Sequence, residues 1–70
     1  MLYSGIFKFE IQRPMGGSSF KTETGLKKVV VDGEESNINE RLITAAKNEF
    51  YINDRIIELK LMKKKVKKKN

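Results

Sequence analysis

From Gly5 to Arg13 the chain alternates, with Phe7, Phe9 and Ile11 on one side and Lys8, Glu10 and Gln12 on the other. Period two with aromatic and β-branched residues is the pattern of a strand with one buried and one wet face. Such a strand needs neighbours to satisfy its backbone and a second layer to cover its apolar side. Seventy residues must supply both, within one small domain.

The next segments provide the candidates. Pro14 removes an amide donor and Gly16-Gly17-Ser18-Ser19 offer little to pack, which predicts a loop or hairpin turn. From Phe20 to Asp32, Phe20, Thr22 and Thr24 alternate with Lys21 and Glu23. Gly25 marks a bulge or turn, and Leu26 to Val31 continues with three consecutive valines. One long bent strand and two short ones both fit. Asn37, followed by Glu40 at the third helical position, predicts a capping box. Ile38, Leu42, Ala45, Ala46 and Phe50 then form one apolar stripe, so a helix is expected from Ile38 to about Phe50 or Tyr51. After a break at Asn53-Asp54, Ile57, Leu59 and Leu61 alternate with Glu58 and Lys60. A helix using Ile52, Ile56 and Leu59 competes with a strand here. The strand is preferred, because a lone hairpin plus a helix leaves the first strand poorly partnered. The expected fold is α+β: a small, mainly antiparallel sheet of three or four strands packed by one helix, in the order β-β(-β)-α-β. The helix stripe is expected to meet Phe7, Phe9, Ile11, Val29, Val31, Ile57, Leu59 and Leu61.

The net charge of +6 comes from fifteen basic and nine acidic residues. Lys63, Lys64, Lys65, Lys67, Lys68 and Lys69 supply six of the fifteen, which leaves nine of each sign and no net charge in residues 1–62. The expectation is a neutral domain over 1–62 and a basic tail over 63–70, disordered because its charges repel. The lysine run is the candidate contact to phosphate. Lys60 adjoins it, and Arg41, Lys47 and Lys27 or Lys28 extend its field if the fold gathers them. With four to six lysines each neutralising one phosphate of a duplex, log affinity falls with log salt at a slope of roughly −4 to −5. Such contacts locate a partner without reading sequence. A solvated tail, or attraction to an anionic membrane surface, uses the same charges.

Other chemistries lack their residues. Cysteine and histidine are absent, so there is no disulfide framework, thiolate cage or imidazole base. Ser18, Ser19 and Ser36 have no candidate base at a supporting spacing. The glycine loop fits neither phosphate-loop nor dinucleotide spacing, and Asp32, Glu34 and Glu35 lack the EF-hand series. No enzyme activity, cofactor or metal is expected. Tyr3, Phe7, Phe9 and Phe20 invite comparison with base-stacking platforms, but Phe7 and Phe9 share their face with Ile11 and read as core. Tyr3 and Phe20 are freer to meet a ligand. No stretch approaches the roughly 20 apolar residues of a membrane span, and Met1-Leu2-Tyr3-Ser4 lacks the build of a secretory signal, so a cytoplasmic location is expected.

The function expected is that of a non-enzymatic module contacting nucleic acid or a ribonucleoprotein through the lysine run. The alternative is a small protein-binding accessory or inhibitor factor, of a size that suits phages and other mobile elements, acting through a sheet edge or the helix surface. A homodimer through an exposed edge draws on the same feature. Over residues 26–65 the element order with its basic ending is similar in pattern to a small archaeal ribosomal protein, and no residue role carries over from that likeness.

Overall fold

The computed structural model describes residues 1–67. Its elements are strand β1 (Leu2–Pro14), strand β2 (Phe20–Asp32), helix α1 (Ile38–Lys47) and strand β3 (Arg55–Lys67). The strands form one antiparallel sheet in the order β2-β1-β3. The strand with the clearest alternation therefore takes the centre. The segment left open between one strand and two is a single strand, paired with β1 from Asp32 opposite Leu2 to Phe20 opposite Pro14. Gly16 and Gly17 turn the hairpin with φ of 100° and 59°, values that L side chains rarely adopt.

Residues directly opposite in an antiparallel pair share a face. On one face, Tyr3, Phe7 and Val29 meet Ile38, Leu42 and Ala46 of α1, with Val31, Ala45, Leu59 and Leu61 at the margin of the core. Gly5 lets helix and sheet approach, because a Cβ there would lie 3.1 Å from Leu61 Cδ1 and 3.2 Å from Leu42 Cδ2. Ten helical residues span about 15 Å. Thirteen strand residues span about 43 Å. The helix thus covers one end of a molecule measuring 50 × 20 × 17 Å, and the other end of the hairpin projects as an arm.

Several expectations need correction. The helix ends at Lys47, short of Phe50, and closes with turn bonds from Glu49 N–H to the Ala46 carbonyl and from Phe50 N–H to that of Lys47. This turn places the Phe50 ring 5.1 Å from Phe9, tilted by 58°, outside the helix but still over the sheet. The capping box does not form. Asn37 makes no side-chain bond to the helix amides, and its Oδ1 accepts from Glu34 N–H instead at 3.0 Å. Ile57 is exposed, while Ile56 pairs with Ile11 and turns inward. The cause is a bulge between the Glu10–Glu58 and Ile11–Ile56 pairs, which inserts a residue and reverses the parity of everything before Glu58. Tyr3 is buried in the core and unavailable to a ligand, whereas Phe20 is exposed.

The largest correction concerns the lysine run. Residues 63–67 are the last part of β3, with Lys63 opposite Ile6, Lys65 opposite Ser4 and Lys67 opposite Leu2. Without them the β1 backbone from Leu2 to Ile6 would lack a partner on that side, and the demand for backbone pairing outweighs repulsion between side chains that end in water. Lysine is also well suited to an edge strand, where its charge discourages pairing with another chain. Lys68, Lys69 and Asn70 lie outside the described residues, as does the corresponding part of the expected disordered tail.

Candidate nucleic-acid interface

The helix leaves one sheet face open. Read across β2, β1 and β3, its rows are Val30–Ser4–Lys65, Lys28–Ile6–Lys63 and Leu26–Lys8–Lys60, with Asp32–Leu2–Lys67 at one end. A second bulge, between the Ile6–Lys63 and Phe7–Leu61 pairs, adds Met62 and sets this parity. It sends Lys63, Lys65 and Lys67 to the open face and Lys64 and Val66 to the helix side. Without the bulge the assignment would reverse. Lys8, Lys28, Lys60, Lys63, Lys65 and Lys67 thus share one face. Lys63, Lys65 and Lys67 follow one another along β3 at about 6.7 Å, twice the rise per residue.

The electrostatics of this face are uneven. Lys8 stands directly opposite Lys60, and Glu10 directly opposite Glu58. Like charges so placed destabilise a sheet, although each lysine has a glutamate on the diagonal. None of the six lysines has an ion-pair partner within 4.0 Å among the described residues. The end bearing Lys63, Lys65 and Lys67 holds one acid, Asp32, whose Oδ1 accepts from the Met1 ammonium at 2.8 Å. That bond holds the Asp32 carboxyl below the usual aspartate range. Between the lysines lie Leu2, Leu26 and Val30, all exposed, and no aromatic ring, since Phe20 sits at the far end beside Pro14. The face offers charge and apolar surface without a stacking platform.

The remaining candidates separate. Lys64 turns to the helix side and its Nζ donates to Asn39 Oδ1 at 3.0 Å. Arg41 also lies on the helix side, donating to the Asp32 carbonyl at 3.4 Å. Lys47 is exposed in the last helical turn. Lys27 reaches over Phe50 and Phe9, 5.3 and 6.0 Å from the ring centroids. Only Lys60, Lys63, Lys65 and Lys67 of the expected set come together, and Lys68 and Lys69 fall outside the described residues. Lys8 and Lys28 join them. Alternation alone, which puts Lys8 on the wet side of β1, was the signal that could have included that residue.

A second polar cluster lies on the arm. Arg13 Nε and NH2 donate to the two carboxylate oxygens of Asp54, each at 2.9 Å, and NH1 lies 2.7 Å from Glu23 Oε2. The guanidinium covers the Tyr51 ring at 4.8 Å, and Asp54 also accepts from Tyr51 N–H. Hydrogen bonding to Arg13 holds the Asp54 carboxyl below its ordinary range despite a side chain only 1% exposed. Every carboxylate here is engaged. The cluster ties β1, β2 and the turn before β3 together, and it offers no group to a substrate.

No helix among the described residues is long and apolar enough to cross a membrane. No family model, curated protein or solved structure matches the chain, and the likeness of element order to a ribosomal protein stays one of pattern.

Proposed function

We propose that this protein is a non-enzymatic module that holds the phosphate backbone of a nucleic acid, free or within a ribonucleoprotein, against its open sheet face. One observation carries the reading: six lysines from three strands converge on the face that the helix leaves bare. Like charges gathered without partners are relieved by an external polyanion, and a rigid strand holds three of them at fixed spacing. With no aromatic among them, the contact reads charge and shape without base identity.

Fluorescence anisotropy with a labelled oligonucleotide across a salt series tests this. Lys63→Gln, Lys65→Gln and Lys67→Gln together are expected to flatten the log–log salt slope by about two to three, one phosphate contact each. Arg41→Gln with Lys47→Gln, on the helix side, should leave it unchanged. No binding at low salt, or equal sensitivity to the two sets, would refute the proposal.

A protein-binding accessory role draws support from a different observation, the exposed Phe20, Leu26 and Val30 along edge strand β2. It predicts loss of activity from substitutions on β2 and indifference to the three glutamines.

A further inference from the structure

The two edges of the sheet differ. Both edge strands are thirteen residues long and both expose apolar side chains. On β3, Ile57, Met62 and Val66 stand among Arg55, Lys60 and Lys63 to Lys67, which discourage pairing, while β2 presents Phe20 (66%), Leu26 (69%) and Val30 (46%) with charges of both signs. Hydrogen-bonded rungs alternate in an antiparallel pair. Met15 N–H donates to the Ser19 carbonyl and Gly33 N–H to that of Met1, so the odd-numbered residues of β2 bond to β1. The even-numbered residues, from Phe20 to Asp32, therefore point their N–H and C=O groups outward. Among the described residues, no strand pairs with them.

We infer that β2 pairs antiparallel with β2 of a second copy, about a two-fold axis at Gly25. That register sets Glu23, which also pairs with Arg13 of its own chain, opposite the second copy's Lys27, which lies over its own Phe50, and the reverse, at rungs without hydrogen bonds, where side chains approach most closely. It sets Phe20 opposite Val30 and brings the two Leu26 side chains onto a diagonal across the axis, so all three exposed apolar residues gain apolar neighbours. Moving the axis to Glu23 or Lys27 opposes two glutamates or two lysines. An axis at Thr24 opposes Lys21 to Lys27, and one at Leu26 leaves Glu23 facing Val29 and Phe20 facing Asp32. Only Gly25 combines opposite charges with matched apolar residues.

The shape agrees. Helix α1 covers the Val29 and Val31 end of β2, and the opposite end forms the arm, which the helix does not reach. The two-fold lays the arm of one copy beside the helix of the other. Lys21 of the arm then lies opposite Val29, at the groove bordered by Lys28, Val30, Ala45, Asn48 and Glu49, within reach of the Glu49 carboxylate. The axis is perpendicular to the sheet, so two three-stranded sheets become one of six strands. Both helices lie on one side of it and both lysine faces on the other. Such an interface is isologous and closed.

Sedimentation equilibrium of the full chain without nucleic acid tests the inference, so its failure is distinguishable from that of the proposed function. The expected mass is twice 8.1 kDa. Leu26→Lys places two added ammonium groups on the diagonal, and Thr24→Pro removes an outward donor. Each should return the mass to 8.1 kDa with an unchanged circular dichroism spectrum. Val66→Lys, on β3, should leave the dimer intact. A monomeric wild type, or a dimer lost with Val66→Lys and kept with Leu26→Lys, would overturn it.

Discussion

Burial divides the apolar residues more sharply than their alternation does. Phe7 and Leu42 are wholly buried, whereas Phe9 and Leu59, equivalent to Phe7 in the period-two pattern, are only half-buried because the short helix stops short of full cover. Leu42→Ala should cost about 2–5 kcal/mol, a large share of the stability of a domain this small, and Leu59→Ala less; urea denaturation measures both. Gly5→Ala has the opposite geometry. Its new methyl must displace Leu61 or Leu42, and a loss of about 1–3 kcal/mol is expected in the same assay. Asp54 supplies a pH dependence. Its folded pKa is depressed by Arg13, so its stabilisation is complete above the ordinary aspartate range and disappears as pH falls through the lowered value. Melting temperature should therefore fall in acid more steeply for the wild type than for Asp54→Asn, with the two curves converging at the lowest pH. The bare sequence did not reveal this ion pair, since Arg13 and Asp54 are 41 residues apart and nothing local links them.

At the level of elements, period and turn chemistry carried most of the fold. Phe7-Lys8-Phe9-Glu10-Ile11 announced β1, and the stripe from Ile38 to Ala46 announced α1. Two features escaped the same reasoning. A bulge leaves no signature in alternation, so the pattern points Ile57 inward where Ile56 holds that position. Net charge, for its part, said nothing about whether the lysine run had a partner. Lys63 to Lys67 become strand because β1 extends back to Leu2 and its backbone demands pairing there. A chain ended after Met62 should therefore lose about 0.5–1.5 kcal/mol for each ladder bond removed. Changing Lys63, Lys65 and Lys67 to glutamine, by contrast, should leave the urea midpoint unchanged or raise it. A tail independent of the fold would make the two variants equally stable.

For the whole molecule, the position of the charge matters more than its amount. A neutral body with a loose cationic tail would attract phosphate from any direction. Lysines held in the third strand give the positive charge a face, opposite the helix and alongside Lys8 and Lys28, and strand order and the bulges of β3 set that face. Amide hydrogen exchange across residues 63–67 tests this placement most directly. Even-numbered β1 residues bond toward β3, so the amides of Lys63, Lys65 and Lys67 should exchange slowly and those of Lys64 and Val66 quickly. Uniformly rapid exchange at all five would mean that the lysines are not part of the sheet, and the ordered cationic face would not exist.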